Sequence, residues 1–150
     1  STPDQVLLKP GEHTAEERRV MQTHATIGKN ILERASRMVD GVSYLTYGAQ
    51  LAGSHHEHFD GAGYPDGVSG RAIPLVARIV AISDAYDAMV SDRPYRAGMS
   101  HQTAIAILES GAGGQWDPEL VPMFVRALFE VEPGPSPVSA GRLSNAPTTA

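Results

Sequence analysis

Residues 55–65 read HHEHFDGAGYP, and the rest of the chain is read outward from them. The stretch holds His55, His56 and His58, three of the six histidines, followed at once by turn-forming residues. Neutral imidazole ligates borderline metals, and neighbouring helix positions point about 100° apart, so His55 and His56 can serve different ions of one cluster. Asp60-Gly61, Gly63 and Tyr64-Pro65-Asp66-Gly67 cannot continue a helix. The helix is therefore expected to stop near His58 and give way to consecutive tight turns. Pro65 biases Tyr64 towards extended backbone, and the glycines permit close approach. Taken alone, a histidine doublet also occurs on solvated faces, and such turns also serve as plain helix-to-helix loops.

Upstream, Asp40-Gly41 breaks the chain and a helix is expected over 42–57, with Tyr44, Leu51 and His55 on one face and Leu45, Ala52 and His56 beside it. Thr14 and Glu17 form a capping-box pattern that opens an earlier helix, carried to Ala35 or Met38. Its apolar stripe is Val20, Ile27, Ile31 and Met38, with His24 among them. A histidine there is either a buried imidazole satisfied by a hydrogen bond or a ligand. Val6-Leu7-Leu8, ended by Pro10-Gly11, is expected to pack on the core.

Downstream, Ile73-Pro74 starts a helix to Val90, read as the central buried one. Leu75, Ile79, Ile82, Tyr86 and Met89 form one stripe, and small and branched residues cover most of the opposite side. Asp84 extends that second face, where an unpaired buried carboxylate costs several kcal/mol. Its counter-charge is expected from another segment, as a metal or an arginine. Residues 91–99, SDRPYRAGM, form a basic connector whose Arg93 and Arg96 suit phosphate contacts but could equally be solvated. Ser100 caps a fourth helix, and Asp117-Pro118 opens a fifth with Leu120, Phe124, Leu128 and Val131 as its stripe. The domain is expected over 1–132, and the Pro-, Gly-, Ser- and Thr-rich residues 133–150 read as a disordered tail or linker.

Composition narrows the chemistry. The 150 residues are 41% apolar, enough for one domain that buries roughly two thirds of its unfolded surface. There is no cysteine, so any metal must use His, Asp or Glu. A net charge of −5 opposes broad nucleic-acid binding but not a small phosphate ligand, because bound cations can turn an acidic pocket into an anion receptor. No long apolar run or signal-peptide pattern is present in the sequence, and the cytoplasm is the expected compartment.

Residues 55–96 closely resemble the core of bacterial HD-GYP domains, with GYP at Gly63-Tyr64-Pro65. The likeness takes in Pro3 to Gly11, Met21 to His24 and Gln115 to Val121. It implies an all-α HD-superfamily bundle of about five helices, its N-terminal part missing, and metal-dependent phosphodiesterase activity on cyclic di-GMP. It further implies that His24, His55, His56 and Asp84 ligate two or three divalent metal ions, commonly iron or manganese, and that Tyr64, Arg93 and Arg96 lie along the substrate. A GGDEF-type cyclase is an implied partner through the GYP loop, and an upstream sensor or receiver domain is expected. The oligomeric state is not read. The expected nucleophile is a hydroxide held between the ions.

One departure stands out. The family takes part of its name from a His-Asp doublet, and no histidine in these 150 residues is followed by aspartate. The expectation is thus of a truncated or cleaved chain, or of a module that binds without turnover.

Overall fold

The computed structural model describes residues 3–9, 11–39, 44–92 and 96–130. Over these it is all-helical: a short α1 (Asp4–Leu7), then α2 (Ala15–Ser36), α3 (Tyr44–Ser54), α4 (Leu75–Val90), α5 (His101–Ser110) and α6 (Leu120–Glu130), with a 3-10 turn at Gly70–Ala72. The five longer helices are those expected, and α1 and the 3-10 turn are additions. The breaker at Asp40-Gly41, the proposed start at Val42, Arg93 and the tail from Pro133 lie outside the described residues.

Start signals hold where a side chain makes them. Thr14 accepts from the Glu17 amide, and the Glu17 carboxylate accepts from the Thr14 amide, closing a full capping box. Ser100 accepts from the Thr103 amide at the start of α5, and Asp117 accepts from the Glu119 amide ahead of α6. Pro74 precedes α4 as its cap, one residue outside the helix.

The core lies between α4, α5 and α6, where Ile82, Leu108, Trp116 and Val121 are buried together and Tyr86, Met89 and Phe124 pack against them. Gly111 makes this possible: a Cβ there would sit 2.4 Å from the Trp116 ring, so only glycine lets the turn after α5 fold the indole inward. Beneath the turn, Arg78 of α4 pairs with buried Asp117 and also donates to the Ile73 carbonyl. Burial alone would raise the Asp117 pKa, but the Arg78 hydrogen bond and charge, with the Glu119 and Leu120 amides, hold it below the ordinary carboxylate value.

Three packing expectations fail. On α2 the stripe faces outward, with Ile31 61% and Met38 87% exposed, while Ala25 is the buried residue. The helix meets α3 through small residues: a Cβ on Gly28 would lie 3.3 Å from that of Ala52, and one on Gly53 would press on the stem of Lys29. Close helix approach selects residues that weigh little in an apolar pattern, so the stripe marked the wrong face. Leu7 and Leu8 are likewise exposed rather than packed on the core. On α4 the stripe is buried only from Ile82 onward, because α5 and α6 cover its C-terminal half and leave Leu75 and Ile79 exposed.

Candidate metal centre

Helix α3 ends at Ser54, so the histidine doublet sits just past the helix rather than inside one continued to His58. The His55 amide still donates to the Leu51 carbonyl, but Glu57 closes a tighter turn on Ser54. The turn-rich segment takes over the next polar groups. Tyr64 donates to the His56 carbonyl at 3.1 Å, and Phe59 donates to the Gln115 carbonyl. A Cβ on Gly63 would lie 2.2 Å from the His58 nitrogen, so this glycine lets the loop lie flush on residues 56–58. The Tyr64-Pro65 peptide is cis.

Against this platform comes His24 from the middle of α2. The three imidazoles of His24, His55 and His56 form one group whose ligand atoms all lie within 4.8 Å of one another. The His24 Nδ1 meets the Met21 carbonyl at 2.6 Å, and the His55 Nδ1 meets the carbonyls of Leu51 and Ala52 at 3.0 and 3.1 Å. Only a protonated Nδ1 satisfies those carbonyls, which leaves the Nε2 atoms of both rings as lone-pair acceptors. Those atoms face each other at 3.4 Å, and the His56 Nε2 stands 3.1 Å from that of His24. Two opposed lone pairs repel unless a proton or cation lies between them. Burial first, then the neighbouring His55 and His24, depress the His56 pKa to about 4, so near neutral pH its ring is uncharged and fit for ligation. The donor set suits a borderline divalent ion.

Asp84 lines the same pocket but stands outside the tight imidazole group, and it is exposed rather than buried. The buried reading fails because α4 presents Ala81, Ala85 and Ala88 to an open pocket, where the small side chains leave the carboxylate in solvent. Its charge still acts on His56, raising that pKa against the stronger lowering effects. Tyr64 stacks on His56 with ring centroids 4.7 Å apart and planes inclined by 26°. Burial pushes its phenol pKa above the ordinary value, so it remains a hydrogen-bond donor at neutral pH. Arg96 donates to the Ala88 carbonyl at 2.6 Å, which ties it to the end of α4 beside the pocket.

The pocket measures about 190 Å³. That is below the roughly 300–1,000 Å³ of sites that enclose a drug-sized ligand, so it fits a phosphate group better than a whole dinucleotide. Its lining includes His58 and Gln115. Glu57, also in the lining, is buried, and sequence reading passed over it.

A family profile described as HD domain matches residues 1–120. The chain belongs to the HD domain family. With its GYP segment and its relatives, this HD domain is of the HD-GYP kind. It is 45% identical over 123 residues to a cyclic di-GMP phosphodiesterase of Vibrio cholerae, covering 82% of this chain and 25% of that protein. It is 42% identical over 130 residues to a cyclic di-GMP phosphodiesterase response regulator of Xanthomonas campestris, covering 87% of this chain and 33% of that protein. This chain thus spans a quarter to a third of the length of these relatives. The crystal structure of a cyclic GMP-AMP specific phosphodiesterase of Vibrio cholerae shares the fold, with a TM-score of 0.57 at 24% identity over 85% of this chain and 31% of that one. Among the described residues, no helix is long and apolar enough to cross a membrane.

Proposed function

We propose that this HD-GYP domain belongs to a metal-dependent phosphodiesterase that hydrolyses cyclic di-GMP. The observation that carries the reading is the set of Nε2 atoms, from His24 on one helix and His55 and His56 beyond another, turned toward each other with no donor proton supplied by the first two rings. His24, His55 and His56 would hold the ions, with Asp84 of the same pocket completing the set. Divalent ions, iron or manganese by family resemblance, supply Lewis acidity that lowers the pKa of water towards roughly 7 and polarises a phosphate oxygen.

The chain's own residues do the remaining work. The Nδ1 protons of His24 and His55, held by backbone carbonyls, keep both rings in the ligating tautomer and fix their orientation. Tyr64 offers a protonated phenol at the pocket wall, suited to a phosphate oxygen or a ribose hydroxyl. Arg96, with Arg93 of the same connector, supplies guanidinium charge to the phosphates. A pocket sized for phosphate leaves the bases outside it.

Metal analysis of the intact protein, followed by incubation with cyclic di-GMP, tests the reading. Bound iron or manganese with release of the linear dinucleotide or GMP is expected, and metal-loaded protein that leaves the cyclic dinucleotide intact overturns it. A second reading rests on Asp84 standing outside the tight imidazole group: a module that binds cyclic di-GMP, or a GGDEF-type partner, without turnover. Metal-free protein that binds the dinucleotide unchanged is its signature.

A further inference from the structure

Glu57 joins the histidine doublet to the turn that follows, and only 3% of it is exposed. Its Oε1 accepts from the amides of Asp66 at 2.7 Å and Gly67 at 3.1 Å. Its Oε2 is buried with no hydrogen-bond partner among the described residues. Carboxylates are rarely buried in this way, because an unpartnered oxygen carries its full desolvation cost. Glu57 also lines both the site pocket and a smaller cavity behind it, whose other walls include Arg78 and Asp117. Those two are committed to each other and to backbone groups, so they do not replace the clamp on residues 66 and 67.

Among the contacts that seat the turn on the segment after α3, three bracket Tyr64. The Tyr64 amide donates to the His56 carbonyl, Gly63 lies flush on the backbone of 56–58, and Glu57 holds the amides of 66 and 67. Of these only the last is a side-chain hydrogen bond, and it fastens the turn on the far side of Tyr64. The near side is fastened by backbone. Tyr64 is therefore held between two anchors with its ring against His56.

We propose that Glu57 is a positioning residue: by clamping the 66–67 amides it keeps Tyr64 stacked on His56, and so sets the orientation of that imidazole within the three-histidine group. Its consequence for catalysis rests on the metal-centre reading above. The ring contact itself does not.

The experiment follows the His56 ring signals by NMR in intact protein carrying ¹³C-labelled histidine, with Tyr64→Leu as the reference for a lost ring-current shift. Glu57→Ala and Glu57→Asp are expected to move the His56 signal most of the way to the Tyr64→Leu position. The Asp side chain keeps the charge but is one methylene too short for both amides. Glu57→Gln, whose carbonyl oxygen can still accept from both, is expected to stay near wild type. In the Tyr64→Leu background, Glu57→Asp should add little further shift, as coupled neighbours require. Manganese titration should show about tenfold weaker binding for Glu57→Asp and near-wild-type binding for Glu57→Gln.

A folded Glu57→Asp protein with an unmoved His56 signal overturns the proposal, and so does Glu57→Gln moving it as far as Asp. If the alanine variant does not fold, the Asp and Gln pair decides. Wild-type protein that takes up no manganese removes the metal reading but leaves the ring-signal result standing.

Discussion

The Nε2 atoms of His24 and His55 lie 3.4 Å apart, although 31 positions separate the residues in the chain, and each ring has given its other nitrogen to a backbone carbonyl. The pair therefore turns two acceptors on one point in space. Replacing His24, His55 or His56 singly by Ala removes one of the three imidazoles, and each change is expected to weaken manganese or iron binding by more than about 100-fold, beyond what loss of a supporting contact costs. Metal stoichiometry by elemental analysis after dialysis checks this. Retention of full metal content in His24→Ala would remove α2 from the site.

Acid should act on the same rings. The His56 pKa is depressed to about 4 from an ordinary 6.5, so between those values the unfolded chain takes up a proton that the folded one refuses. Its contribution to stability is thus fully present above pH 6.5, declines as pH falls, and is gone below about 4. Urea midpoints of metal-free protein at pH 7.5, 5.5 and 4 should fall in that order, with a shallower decline in His56→Gln. An equal slope in the variant would assign the effect elsewhere.

Glycine positions separate packing from backbone preference. Gly63→Ala drives a methyl group against the backbone of residues 56–58, which cannot yield as a side chain would, and about 1–3 kcal/mol of stability should be lost together with metal affinity. Gly113 has a positive φ but open space around it, so Gly113→Ala should cost about 1 kcal/mol and leave metal binding intact. Chemical denaturation with parallel metal titration measures both.

Below the pocket, Asp117→Ala leaves the Arg78 guanidinium without its buried partner and frees the Glu119 amide. A loss of about 3–5 kcal/mol is expected, read as a lower Tm. Asp117→Asn keeps an acceptor for the cap and should lose less. Because the Asp117 pKa is held below the ordinary value of 3.8, the wild-type contribution is present above that pH and is lost as pH falls below it.

Much of the site could be read from residue order because its signals are local. The capping box at Thr14 and the glycines of the turn each act within a few positions, whereas the helix stops at Ser54, earlier than the expected end near His58. What escaped depended on contacts between distant segments. The face of α2 that meets α3 is marked by Ala25 and Gly28, which an apolar count ignores, whereas Ile31 and Met38 carry the count and stand in solvent. Asp84 was read as buried because its helix neighbours are apolar, yet the alanines beside it line an open pocket. For Glu57, chain position announced neither its burial nor the two amides it serves.

The close fit of Gly28 on Ala52 has a consequence well away from either residue. His24 rides on one helix and the doublet on the end of the other, so the gap between the two helix axes sets how wide the nitrogen triangle opens. The seam works like the jaw stop of a caliper. A bulkier residue there would touch no ion, yet it would change which ionic radius the jaws can grip.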